Sequence, residues 1–106
     1  MTSQGSAYGR FRKSLDRGNV NFALEAAAEL ETVSLADALE LCVLLAAAGD
    51  SRYQAAARRW LGRLLEEKGA SLTEALIAGA ALAELGERPN SPLARDTLEQ
   101  LLESPS

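Results

Sequence analysis

Ser34-Leu35-Ala36-Asp37-Ala38-Leu39-Glu40-Leu41-Cys42-Val43-Leu44-Leu45-Ala46-Ala47-Ala48-Gly49 decides the fold. Its only charges are Asp37 and Glu40, and Leu41 to Ala48 is apolar without a break. Ser34 is a helix-cap residue, and Asp37 sits at the third helical position, where a carboxylate meets the positive end of the helix dipole. Gly49 supplies the left-handed residue that ends many helices. The stretch therefore reads as a buried helix that its neighbours must cover. Leu39 and Leu45 are expected at the centre of the core.

The flanking sequence repeats this grammar. Tyr8, Phe11 and Leu15 share one face of a helix over about 6–17 that Gly18 stops. Asn19 caps a second helix over about 20–31 with an inward stripe of Val20, Ala23, Leu24, Ala27 and Leu30, widened by Phe22 and Ala26. Asp50 or Ser51 opens a fourth helix to about Lys68, carrying Tyr53, Ala56, Ala57, Trp60, Leu61, Leu64 and Leu65 at helical spacing, and Gly69 stops it. Ser71-Leu72-Thr73-Glu74 is a capping box. It opens a fifth helix, apolar nearly all round, to Leu85, with Gly86 as the stop. Gly79 in its middle costs roughly 1 kcal/mol of helix propensity, which a close helix–helix approach would offset. Ser91-Pro92 opens a sixth helix to about Glu103, with Leu93, Ala94, Leu98, Leu101 and Leu102 inward. The segments 1–5 and 104–106 read as frayed tails. The expected fold is all-α, about six helices in antiparallel hairpins, in one domain over 1–106.

The helices also echo one another. Ser34-Leu35-Ala36-Asp37-Ala38-Leu39 aligns with Ser71-Leu72-Thr73-Glu74-Ala75-Leu76 at an offset of 37 residues. The same offset pairs Ala57, Arg58, Leu61, Leu64 and Leu65 with Ala94, Arg95, Leu98, Leu101 and Leu102. This is the pattern of a duplicated helix-turn-helix unit, 34–67 and 71–104. With Ala57, Leu61 and Leu64 repeated as Ala94, Leu98 and Leu101, the chain resembles helical-hairpin repeat proteins, tetratricopeptide-like first and HEAT-like second. The resemblance covers 34–104 and implies architecture alone. It departs from the tetratricopeptide pattern in its period and in lacking that family's Trp and Tyr on helices 3 and 5. The run Tyr8-Gly9-Arg10-Phe11 through Gly18-Asn19 also resembles small uncharacterised all-α proteins of actinobacterial type, which implies no function.

Composition narrows function more than motifs do. The chain has 106 residues, a formal net charge of −4, no His and one Cys. Without His the commonest general base and metal ligand are missing. One Cys forms no zinc knuckle or redox pair within a chain, and Cys42 in an apolar run reads as a small buried hydrophobe. No phosphate-binding glycine loop or nucleophile elbow is present. The acids Glu25/Glu29 and Glu66/Glu67 lack the Glu-x-x-His partner of a di-metal bundle and read as solvated faces. We expect a non-enzyme with no cofactor or metal. No apolar run approaches the ~20 residues of a membrane span, and the amino terminus has no signal-like apolar region. A cytoplasmic protein is the default expectation.

Charge is unevenly placed. Residues 19–49 hold five acids and no base, whereas Arg10, Lys13 and Arg17 share one helix face, and Arg52, Arg59 and Arg63 another. Those six are the candidate partner-binding residues. The expected function is protein–protein interaction or scaffolding, with a partner protein or a second copy. The alternatives are phosphate contacts with nucleic acid through helices 1 and 4, and a structural homo-oligomeric subunit. A further possibility is simple pairing of basic helices with acidic neighbours. An exposed apolar strip between basic residues would favour the protein-partner reading.

Overall fold

The computed structural model describes residues 3–103, with side chains from Ala7 onward. Its order is α1 Ser3–Arg17, α2 Val20–Glu29, α3 Leu35–Ala47, α4 Tyr53–Lys68, α5 Leu72–Glu87 and α6 Pro92–Glu103. The described residues are all-α. α1 begins at Ser3, so part of the expected amino-terminal tail is helical; Met1, Thr2 and 104–106 lie outside the described residues.

The caps explain the boundaries. Side chains of Asn19, Ser34 and Ser71 accept from the backbone N–H groups of Phe22, Asp37 and Glu74, and Ser71/Glu74 close a reciprocal capping box. Gly49 and Gly69 take φ of +63° and +62° just past α3 and α4. α2 stops at Glu29, two residues early, because Leu30 turns extended as it packs against Phe11. α5 corrects a second boundary: it runs through Gly86 to Glu87. Its end is set by Pro89, which forces the preceding Arg88 out of the helical region to φ −128°, ψ 83°.

Gly86 instead allows a close approach. A Cβ there would lie 3.1 Å from Cε2 of Tyr53. Tyr53 is itself fixed, donating its hydroxyl to the Leu82 carbonyl at 2.7 Å. The start of α4 thus lies against the end of α5, and the two helices run antiparallel. At Gly79, where the sequence suggests a close approach, a methyl group would have nothing within 4 Å.

The main core lies among α3–α6. Leu39, Cys42 and Leu45 of α3 pack with Trp60 and Leu64 of α4, Ala78, Leu82 and Leu85 of α5, and Leu98 of α6. The indole of Trp60 donates to the Leu35 carbonyl at 2.9 Å, which satisfies its one polar atom. A smaller cluster of Ala7, Phe11, Ala26 and Leu30 joins α1 to α2, and Leu41 touches both clusters. The opening stretch is therefore at the centre, with Leu39 3% and Leu45 1% exposed.

Several expected inward residues are outside. Tyr8 is 43%, Phe22 61%, Leu65 42% and Leu93 76% exposed, and on α5, expected to be apolar nearly all round, Leu72 is 78% and Leu76 66% exposed. Ala26 does widen the α2 stripe, but Phe22 lies a third of a turn away from Ala23, too far round to reach α1's apolar side.

Candidate interaction surface

The six candidate basic residues occupy two separate settings. Arg10, Lys13 and Arg17 line one groove of about 420 Å³ between α1 and α2. Its other wall carries Phe22, Glu25 and Glu29, and Arg10 is already paired with Glu29 at 2.7 Å. The acidic wall lowers the positive potential that a phosphate would need.

Arg52, Arg59 and Arg63 share a different face, on α4. Arg52 holds both Asp50 oxygens, at 2.8 and 2.9 Å, and reaches Asn21 of α2 at 3.3 Å. Its guanidinium, with a further bond from its backbone N–H, holds the Asp50 carboxyl well below the usual range, at about 2. Arg63 pairs with Glu67 one turn on, at 2.6 Å. Arg59 lies near enough to Cys42 to oppose, weakly, the burial that pushes this thiol up to about 11. Such a thiol is a poor nucleophile.

Arg12 is the base most firmly engaged with another helix. It bonds Asp37 at 3.0 Å and also Glu40, and Tyr8 donates to the same Asp37 at 3.0 Å. That cluster ties α1 to α3. The hydrogen bond to Asp37 raises the Tyr8 pKa, because ionisation would place two negative oxygens together.

The surface that residue type alone does not single out lies on the opposite side of α4. Arg58 and Leu61 of α4 face Gly79, Leu82 and Ala83 of α5 across a shallow groove of about 150 Å³. Helical spacing continues that line to Leu65 on α4 and to Leu76 and Leu72 on α5. Leu65 is 42% exposed, and Leu72 and Leu76 are more exposed still. Between Glu74 and Glu84 the helix has no charge at all. The sequence does carry a signal of it: a helix apolar nearly all round has more apolar surface than a two-layer packing covers.

Among the described residues no cluster of three metal-ligating side chains occurs, and no buried side-chain N or O lacks a partner. Among them, too, no helix is long and apolar enough to cross a membrane. No protein-family model, curated protein or solved structure matches the chain.

Proposed function

We propose that the chain is a non-enzymatic protein-interaction or scaffold module, with the α4–α5 strip as its docking face. One observation supports this above the others: Leu65 of α4 and Leu72 and Leu76 of α5 stand exposed, and α5 carries no charge between Glu74 and Glu84. Contiguous exposed apolar surface is costly in water and marks interaction sites on soluble proteins. The basic residues act at the edges. Arg58 stands at the rim of the strip, while Arg52 and Arg63 are taken up by Asp50 and Glu67.

A photo-crosslinking side chain placed at Leu76 in the native cell tests the reading. The expected result is a discrete protein adduct that a Leu65→Glu change in the same chain abolishes. Adducts no more abundant than from the same probe at exposed Asp96 would overturn it. Nucleic-acid adducts, or none at Leu76 but discrete ones at Lys13, would move the site to α1.

A further inference from the structure

We infer that the α4–α5 strip is a two-fold interface, and that its occupant is the same strip of a second copy of this chain. The inference rests on the protein-interaction reading above and names the partner.

The first ground is a contrast inside the chain. Leu35, Leu39, Cys42 and Ala46 of α3 form a stripe buried to 8%, 3%, 2% and 4% exposure. The same spacing recurs on α5 as Leu72, Leu76, Gly79 and Ala83, but there it is open. In α3 the stripe works as a helix-packing surface, with Trp60 of α4 bonded at Leu35 and α6 facing Leu39. Among the described residues no helix covers the α5 copy, and Leu72 and Leu76 stand exposed.

Gly79 is the second ground. A glycine in mid-helix weakens the helix, and no neighbouring atom among the described residues requires it. A helix from outside, approaching to backbone distance, would.

The face also complements itself. Leu76 projects beside the recess at Gly79 and Ala83. A two-fold axis passing between Leu76 and Gly79 sets each Leu76 into the partner's recess, as a knob into a hole. The same antiparallel alignment carries Arg58, at one end of the strip, over the end where Glu66 follows Leu65. Neither Arg58 nor Glu66 has an ion pair among the described residues. Like charges are thereby kept apart.

Area sets the strength. With the axis between Leu76 and Gly79, Leu72–Ala83 of α5 overlaps its own copy over about 18 Å of a face about 20 Å wide, so pairing buries on the order of 700 Å² in total. That is below the size of a standard specific interface, and it points to a weak, reversible dimer with a Kd of about tens of micromolar.

Sedimentation equilibrium of the full chain across about 1–300 µM tests the inference. A reversible monomer–dimer equilibrium is expected. Leu76→Glu and Gly79→Leu should each raise Kd roughly 30-fold or more, with helical circular dichroism unchanged. Gly79→Leu is informative because a Cβ at this position meets nothing within 4 Å in the monomer and would meet a backbone in the dimer. Phe22→Ser, on the α1–α2 groove, should leave Kd unchanged. A monomer at every concentration would overturn the inference, as would a dimer indifferent to both strip variants. A monomeric chain that still forms Leu76 adducts with a different protein sinks the dimer and leaves the interaction reading standing.

Discussion

The stripes on α3 and α5 are near copies in sequence and opposites in environment. Leu39 is 3% exposed and its counterpart Leu76 is 66% exposed. Around α5 the buried residues are Ala78, Ala81, Leu82 and Leu85, a face turned about a third of a revolution from the stripe. Only Leu45 and Leu82, among the matched positions of these two helices, are buried in both. The difference teaches that a packing pattern states what a helix can bury, while the number of neighbours decides what it does bury.

The largest expected effect breaks the comparison at matched positions. Leu39→Asp puts an unpaired charge in the core, costs more than about 4 kcal/mol and should unfold the chain. Leu76→Asp, at the equivalent position of α5, should leave the monomer's stability within about 0.5 kcal/mol. Urea denaturation of both variants at low protein concentration reads the contrast. Two unfolded variants, or two folded ones, would show that the burial asymmetry is wrong.

A smaller contrast separates the two glycines of α5. Gly79→Ala should stabilise the dilute monomer by about 1 kcal/mol, since the methyl adds helix propensity in open space. Gly86→Ala should destabilise by about 1–3 kcal/mol, because the methyl meets Tyr53, which its bond to Leu82 prevents from yielding. Opposite signs of the change in denaturation midpoint are the expected result.

The smallest effect is at Asp50. Its pKa is lowered from 3.8 to about 2 by hydrogen bonds from Arg52. A depressed carboxylate contributes stability above its unfolded value, lost as pH falls through the folded value. The wild type should therefore lose slightly more stability than Asp50→Asn between pH 4 and pH 2. Acid titrations of the two that run parallel through that window would remove the Arg52 contact from the account.

Much of the fold is legible in the sequence because it is written locally. Asn19, Ser34 and the Ser71/Glu74 box mark helix starts by bonds that reach only three residues, so residue type and spacing suffice. The end of α5 is not legible in this way, because Gly86 and Pro89 both offer a stop and tertiary contact with Tyr53 gives the glycine another use. The surface is less legible still. The spacing of Arg52, Arg59 and Arg63 shows that they share a face, but not that Asp50 and Glu67 engage two of them. Likewise Leu72 and Leu76 look like core from sequence, since apolar type does not say which stripe of an all-apolar helix meets a neighbour.

The most direct test of the central claim, that the α5 stripe is a packing surface completed by a second copy, is the melting temperature as a function of protein concentration. Dimerisation stabilises the folded chain by mass action. Wild-type Tm should rise across a hundredfold increase in concentration from about micromolar upward, while Leu76→Glu stays flat at the dilute wild-type value. Two flat curves, or two that rise together, would contradict the account.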